Sequence, residues 1–311
     1  DPDGVIFTGG TTMSLNMVAR SWGRHALKAG DEILLCLSDH HSMVLPWEEL
    51  AKEMGLVLRP YRLHANGSIN LEDLSAKITE RTKLCCVTHV NNTAGWINEL
   101  YAIRNLLPDD VMLNVDAAQS ISHVPLNMNA QGIDFLSFSG HKMFAPGGIG
   151  ALCISSRTRE QLRPFLFGGG MAEYKSGDPV YRLMEAGTLN MAGIVAMRAA
   201  CRFIMEHNSQ NPLPALTQTL YERLLANPRL DLLYEQKTYA LERLSGIATF
   251  TLEGMDSGEL ADIMAEHGIF VRAGRHCAGA ADSVRLSLQL YNTEEEIDKA
   301  CTLLEEIGER P

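Results

Sequence analysis

The sequence predicts an α/β fold with a mostly parallel sheet covered by helices on both faces, followed by a small α+β domain. Two observations lead to this prediction. Between residues 5 and 154, short apolar runs alternate several times with amphipathic stretches through short connections, the pattern of a parallel sheet buried on both faces. After the polar stretch Asn208–Pro212 the order of elements changes. We therefore expect a large domain over 1–207 and a small one over 208–311.

Hydrophobic periodicity and turn signals define the expected elements. In the large domain the expected strands are Val5–Thr8, Glu32–Leu37, Leu56–Leu63, Leu84–His89, Met112–Asp116, Ile133–Phe138 and Ile149–Ile154. The expected helices there are Met13–Leu27, Pro46–Met54, Leu71–Ile78 with Asn70 as its cap, Leu100–Leu107 and Ala192–His207. The small domain should contain helices Leu213–Leu225, Gly258–His267 and Glu294–Ile307, and strands Ile247–Leu252, Ile269–Arg272 and Val284–Leu288. Thr293 and Glu296 form a capping box before the last helix.

Composition excludes several classes of function. The net charge of −11, with no run of Lys or Arg, argues against binding to nucleic acid or an anionic membrane surface. No apolar run is long enough to span a membrane and no signal peptide is visible, so a cytoplasmic location is expected. The seven cysteines lack CxxC spacing and no metal site is predicted; those in apolar strand-like runs should be reduced, buried thiols: Cys36, Cys85, Cys86 and Cys153.

Two polar residues at strand ends carry the chemistry. Lys142 follows the buried strand Ile133–Phe138 in Ser139-Gly140-His141-Lys142, and a desolvated lysine there can act as a Schiff-base amine. Asp116 ends the strand before it. Such a pair suits pyridoxal phosphate, because the carboxylate keeps the pyridine nitrogen protonated while the lysine holds the aldehyde as an imine. The alternatives are a surface lysine in a turn and an aspartate that caps a helix.

Two longer motifs contain these residues and resemble a known family. Val115–Ser120, VDAAQS, and Phe138–Gly150, FSGHKMFAPGGIG, are similar to the class V aminotransferase group of fold-type I pyridoxal-phosphate enzymes. Within that group they resemble the group II cysteine desulfurases of the SufS/CsdA type, also called selenocysteine lyases. The resemblance runs from about Val5 to the C-terminus. It implies conversion of L-cysteine to L-alanine, with the sulfur passed on for uses such as iron–sulfur cluster assembly.

The resemblance assigns further cofactor-binding positions. Thr11 and Thr12, at a helix N-terminus, would hold the phosphate, and His40 would stack on the pyridine ring, while His41 remains a surface residue that caps a helix. Gln119 would hydrogen-bond the phenolate oxygen. Thr188 would reach the phosphate of the neighbouring subunit, which implies a homodimer with shared sites. The complete cofactor set implied is Thr11, Thr12, His40, Asp116, Gln119, Ser139, His141, Lys142 and Thr188.

A cysteine in the small domain determines the kind of chemistry. Cys277 follows Arg275 and His276, and positive neighbours favour a nucleophilic thiolate. The resemblance makes Cys277 the catalytic thiol that attacks the substrate sulfur; the alternative is an incidental loop cysteine. Substrate contacts are assigned by resemblance to Arg285, for the α-carboxylate, and also to Asn92 and Arg272.

Other functions remain open at this stage. The same fold could serve a selenocysteine lyase, a cysteine sulfinate desulfinase, or another class V aminotransferase or epimerase. A catalytically silent, partner-binding relative is the non-enzymatic alternative, since relatives have a segment before Val5 and longer loops after Gly170 and Cys277. A protein that accepts the sulfur is an expected partner.

Overall fold

The computed structural model describes residues 1–171, 175, 177–207, 210–234, 241–275 and 281–308. These residues form two compact units. Unit 1 comprises Asp1–Arg62, Asn70–His89 and Glu99–His207, and unit 2 comprises Leu63–Ile69, Val90–Asn98 and the described part of Asn208–Pro311.

Unit 1 is built on a mostly parallel sheet, as predicted. Its strands in the described residues are β1 (Val5–Thr8), β2 (Glu32–Leu35), β3 (Val57–Pro60), β4 (Thr82–Thr88), β5 (Met112–Asp116), β6 (Phe135–Ser139) and β7 (Gly150–Ile154). Their order in the sheet is β1-β7-β6-β5-β4-β2-β3. The five neighbouring strands β6, β5, β4, β2 and β3 pair in parallel, and β7 is antiparallel to both of its neighbours, β6 and β1.

The central strands are buried almost completely, which explains their continuous apolar sequence. A parallel sheet with both faces covered has no solvent face that would require alternation. The core of unit 1 includes Leu15, Ile33, Trp47 and Phe135. Cys36, Cys85 and Cys86 are buried, Cys153 is half-buried, and all four are free. Burial raises the pKa of each of them, and the prediction of buried thiols is confirmed for Cys36, Cys85 and Cys86 but not for Cys153.

The predicted helices of unit 1 are present with shifted ends, the one expected over Met13–Leu27 is divided into three parts, and the helix Tyr181–Met184 was not predicted. They are α1 (Thr11–Met17), α2 (Arg24–Ala26), α3 (His41–Met54), α4 (Leu71–Ala76), α5 (Leu100–Leu106), α6 (Tyr181–Met184) and α7 (Met191–His207), and a π-helical turn, Val18–Gly23, joins α1 to α2. The Asn70 cap is confirmed, since its side chain accepts from Asp73 N at 2.9 Å. Among the described residues, no helix has both the length and the apolar character needed to cross a membrane.

Unit 2 is a small α+β structure, as predicted. An antiparallel sheet of order β10-β11-β9-β8 is formed by β8 (Leu230–Leu232), β9 (Ile247–Leu252), β10 (Arg272–Gly274) and β11 (Ser283–Ser287). It packs in one core with α8 (Leu213–Ala226), α9 (Ser257–Glu266) and α10 (Glu294–Gly308). The capping box is confirmed: Glu296 N donates to Thr293 Oγ1 at 3.3 Å, and Thr293 N donates to Glu296 Oε2 at 3.1 Å.

Two strand predictions in unit 2 were wrong. The strand expected over Ile269–Arg272 begins only at Arg272, because Gly268, with φ +77°, closes helix α9 and Ile269 N still donates to Met264 O at 2.9 Å. Strand β8 was missed because its three residues are too few for a pattern to show.

Two segments from the first 207 residues belong to unit 2. Trp96 forms a β-bridge with Leu244, and the backbone of Ile97 donates to Arg243 O at 2.8 Å. Segment Val90–Asn98 therefore pairs with the chain near residue 244, although the predicted boundary after residue 207 assigns it to the first domain. Because the paired residues lie far apart in the sequence, no local sequence pattern indicates that they pair.

Candidate active site

The predicted cofactor residues of unit 1 collect at one edge of its sheet. Strands β6, β5, β4 and β2 are neighbours and parallel, so their carboxyl ends meet at that edge. Asp116 pairs in register with Thr88 on one side and Ser137 on the other. Lys142 follows the end of β6 and His40 follows the end of β2.

Asp116 is buried within reach of the charge of Lys142. Asp116 is only 5% exposed, and its Oδ1 accepts from Ala118 N at 2.8 Å. Burial raises the pKa of Asp116, whereas the Ala118 N–H and the charge of Lys142 lower it. An ionised carboxylate is therefore supported by one hydrogen bond and one opposite charge.

A tight turn presents Lys142. Residues Gly140–Lys142 form a single 3-10 turn, closed by Met143 N and Ala145 N, which both donate to Gly140 O. Gly140 is required because a Cβ there would lie 2.8 Å from Ile149 Cγ2 and 2.9 Å from Ile149 O. The strand thus ends abruptly, and Lys142 lies half-buried immediately after it.

His40 is both a helix cap and an exposed ring. Its Nδ1 accepts from Ser42 N at 3.2 Å at the start of α3. With Nδ1 as acceptor, a neutral ring carries its proton on Nε2. Capping was expected of His41, but His41 is the exposed first residue of the helix. This cap also explains why α3 begins five residues before the predicted Pro46.

The hydroxyl residues divide into a buried pair and a pair at the surface. Thr11 N and Thr11 Oγ1 lie 2.8 Å and 2.7 Å from Ser139 Oγ, so Thr11 and Ser139 join the start of α1 to the end of β6. Thr12 Oγ1 lies 2.7 Å from Ser42 Oγ, at the surface. The hydroxyls of the exposed Thr12 and the half-buried Ser42 therefore lie at this edge, and the sequence interpretation did not include Ser42.

The remaining cofactor candidates of unit 1 are more exposed. Gln119 is half-buried in the turn after Asp116. His141 is exposed, and its pKa is lowered by partial burial and by the charge of Lys142. Thr188 is exposed in the loop before α7.

The predicted substrate residues lie together in unit 2. Arg285 on β11 donates through NH1 to Asn92 O at 2.8 Å. Arg272 pairs directly opposite Arg285, on β10. The neighbouring Asn91 has the expected turn role, because its Oδ1 accepts from Thr93 N and Ala94 N. Cys277 lies outside the described residues.

The residues of unit 1 fit pyridoxal phosphate. A buried carboxylate supported by Ala118 N–H and Lys142 suits a protonated ring nitrogen, and a half-buried lysine lies beside it. The hydroxyls of Thr12 and Ser42 at the same edge suit a phosphate. These contacts meet the chemical demands of the cofactor's two ends.

Comparison with known proteins identifies the family. The family described as "Aminotransferase class-V" matches residues 1–300. The chain belongs to the class V aminotransferase family. Membership confirms the family predicted from the sequence motifs, together with pyridoxal phosphate as the predicted cofactor.

Individual relatives of this class V protein are named cysteine desulfurases. The chain is 35% identical over 98% of its length to a probable cysteine desulfurase of Halalkalibacterium halodurans, covering 78% of that protein. It is 34% identical over 97% of its length to a cysteine desulfurase of Yersinia pestis, covering 77% of it.

Solved structures confirm the predicted fold of the class V protein. The apo cysteine desulfurase of Thermococcus onnurineus NA1 superposes with a TM-score of 0.92 at 33% identity, over 99% of this chain and 80% of that one. The cysteine desulfurase CsdA of Escherichia coli gives 0.89 at 28% identity, over 98% and 79%.

The sequence interpretation missed one buried acid beside the site. Asp39 is 4% exposed, and burial raises its pKa to about 7. The Thr88 hydroxyl lowers this pKa and the charge of Asp116 raises it. Asp39 stands directly before His40, so the motif was visible, but its burial could not be read from the sequence.

Proposed function

We propose that this class V protein is a pyridoxal-phosphate-dependent cysteine desulfurase, which converts L-cysteine to L-alanine and transfers the sulfur to Cys277 as a persulfide. The observation that carries the proposal is the Asp116–Lys142 pair at the carboxyl edge of the sheet. The names of relatives at 34–35% identity support the choice of substrate.

Pyridoxal phosphate, when bound, supplies an aldehyde that joins an amine and an aromatic ring that withdraws electrons. Asp116 would hold the proton on the ring nitrogen, since burial raises the pKa of its carboxyl group but Ala118 N–H and the charge of Lys142 both favour the ionised form. His40 would stack on the ring, in an orientation fixed by the contact of its Nδ1 with Ser42 N. Thr12, Gln119 and the other cofactor candidates would bind the ring substituents and the phosphate.

Lys142 would serve first as the cofactor's anchor and then as the proton carrier. Its amine Nζ would take the proton from the substrate α-carbon, later deliver a proton to the β-carbon, which becomes the methyl group of alanine, and finally return a proton to the α-carbon. The charge of Asp116 beside it, and its position at the end of a rigid turn, favour a fixed orientation for this transfer.

Cys277 would receive the sulfur. Its thiolate would attack the substrate sulfur, the carbon–sulfur bond would break, and a new sulfur–sulfur bond would form. The balance is cysteine plus one protein thiol giving alanine plus one protein persulfide, so no external oxidant or reductant is needed for this half of the reaction. Arg285, whose guanidinium is anchored on Asn92 O, and Arg272 opposite it would bind the substrate carboxylate.

Assembly and location are part of the same proposal. Exposed apolar side chains on α7, among them Met191, Val195 and Met205, support a subunit interface. We expect a homodimer in which Thr188 reaches the partner subunit's cofactor, a cytoplasmic location, and a protein that accepts the persulfide sulfur for uses such as iron–sulfur cluster assembly.

The test is product analysis with the purified protein, pyridoxal phosphate and a thiol reductant. L-Cysteine should give alanine and sulfide in equal amounts. Release of selenide from selenocysteine without sulfide from cysteine would indicate a selenocysteine lyase, and alanine from cysteine sulfinate alone would indicate a desulfinase. Exchange of the amino group with a keto acid would indicate an aminotransferase. No reaction with any of these substrates would contradict the enzymatic proposal.

A further inference from the structure

Asp39 is a buried acid to which the proposed mechanism gives no role. It follows β2 and directly precedes His40. In the sheet order β5-β4-β2, the end of β4 lies between the ends of β5 and β2. Thr88, the last residue of β4, pairs in register with Asp116 on β5 and contributes its hydroxyl to the environment of Asp39. Asp39, Thr88 and Asp116 thus form a row across three adjacent strand ends.

The two carboxyl groups of this row have unequal support. Both are at least 95% buried, and the charge of Asp116 raises the pKa of Asp39. Asp116 accepts a hydrogen bond from Ala118 N and faces the charge of Lys142. Asp39 Oδ2 is buried and has no hydrogen-bond partner among the residues that the structure describes. Because the charge of Asp116 raises the pKa of Asp39, and Asp116 has the two supporting contacts, Asp39 is the carboxyl group of this row that keeps its proton to higher pH.

We propose that Asp39 is a positioning residue that acts on the cofactor through Asp116: protonated, it leaves a single negative charge for the cofactor ring nitrogen, and on losing its proton it adds a second. This inference rests on the proposed function, because it assumes that a protonated ring nitrogen lies against Asp116. The second charge strengthens the attraction for that nitrogen, so cofactor affinity is coupled to the ionisation of Asp39.

Lys142, whose charge acts on Asp116, and His40, which follows Asp39, also lie at this row, whereas the buried phenol and thiols near it remain neutral near pH 7. Burial raises the pKa of the phenol that follows β3 and of the thiols on and near β2 and β4, namely Tyr61, Cys36, Cys85 and Cys86. For Asp39, by contrast, burial raises the pKa to about 7. Among these buried groups, Asp39 is therefore the one placed to titrate in the range where the enzyme would operate.

The test is the dissociation constant of pyridoxal phosphate from the full-length apoprotein, measured between about pH 6 and pH 8. The parent protein is compared with Asp39→Asn, Asp39→Glu and the control Asp31→Asn, whose acid is buried at the other end of β2. At each pH, the dissociation constant of the parent is divided by that of the variant. This division cancels the titration of the free cofactor and of Lys142, because both proteins share these effects. For Asp39→Asn this ratio should fall about tenfold as the pH rises, which corresponds to a change of about one unit in the pKa of Asp39 when the cofactor binds.

The controls separate coupling from a merely structural role. A structural role would change the constant by the same factor at every pH, and Asp31→Asn should do no more than that. Asp39→Glu should stay within about twofold of the parent throughout, since it keeps the carboxyl group. A flat or rising ratio for Asp39→Asn would overturn the inference but leave the proposed function intact, whereas no binding by the parent at any pH would overturn both.

A second measurement does not depend on any variant folding. The infrared difference spectrum of the parent apoprotein, between about pH 6 and pH 8, should show the loss of a protonated carboxyl band. Its absence from the parent would overturn the inference. Retention of the band in a folded Asp39→Asn variant would do the same.

Discussion

Replacing Asp39 with asparagine should make the stability of the apoprotein less dependent on pH. Burial raises the pKa of Asp39 from its ordinary value of 3.8 to about 7, so folding binds a proton between these values. Stability from this group is present below the unfolded-state pKa and is lost as the pH rises through the folded-state pKa. The free energy of unfolding should fall by about 1.4 kcal/mol for each pH unit between these two pKa values, or about 4 kcal/mol in total. About 2–3 kcal/mol of this loss should occur above pH 5.

The assay is urea unfolding of parent and Asp39→Asn apoproteins at several values between about pH 5 and pH 8. Trp22 and Trp47 are buried in the core of unit 1, whereas Trp96 belongs to unit 2. A Trp96→Phe background therefore makes the fluorescence a report on unit 1. The variant should gain about 2–3 kcal/mol relative to the parent across this range, with an unchanged denaturant slope.

If the free energies of unfolding of the two proteins differ by the same amount at every pH, the reasoning is refuted. Such a result would mean that Asp39 does not titrate differently in the folded and unfolded states. Asp31→Asn provides the matched control. Its amide oxygen can still accept from Lys28 N, as the Asp31 carboxylate does at 2.9 Å, so this variant measures the effect of replacing a buried acid elsewhere beside β2.

Three further predictions follow from the geometry of unit 1. Lys142→Ala should fold but retain no cofactor after borohydride reduction, and a stable adduct in that variant would contradict the assignment. Asp116→Asn should bind cofactor yet lose turnover by about 10²–10³-fold in steady-state assays, as expected for one electrostatic group, and near-normal turnover would reduce Asp116 to a turn residue. Gly140→Ala should cost about 1–3 kcal/mol in the free energy of unfolding, because its Cβ would meet Ile149 at 2.8 Å, whereas Gly147→Ala, with no atom within 4 Å, should be close to neutral.

The large parallel sheet could be predicted because its signals are local. Burial on both faces produces continuous apolar runs, so the strand expected over Leu84–His89 is observed at Thr82–Thr88. The order of the strands was not predicted, because alternation with helices restricts the available topologies without selecting one. Segment Val90–Asn98 could not be assigned to its unit, because its partners lie about 150 residues away in sequence.

The candidate site also contains residues that could be predicted from the sequence and residues that could not. Asp116 and Lys142 were identified because a polar residue that ends an apolar strand is visible in the sequence, and the structure brings them together. Asp39 was overlooked because its significance depends on burial between neighbouring strand ends, a property of the sheet rather than of the motif. Ser139 was predicted only as a cofactor contact, but its hydroxyl joins the buried contact with Thr11, which no spacing rule reveals.

The most direct test of the proposed activity is the fate of sulfur at Cys277. The parent protein is incubated with pyridoxal phosphate and L-cysteine without reductant, and its cysteine peptides are analysed by mass spectrometry. The peptide containing Cys277 should gain the mass of one sulfur atom, and Cys277→Ala should form no persulfide and release sulfide only at background. Cys201→Ala, which removes a half-buried helical thiol, should behave as the parent does. Desulfuration by Cys277→Ala at the parent rate would contradict the proposed mechanism.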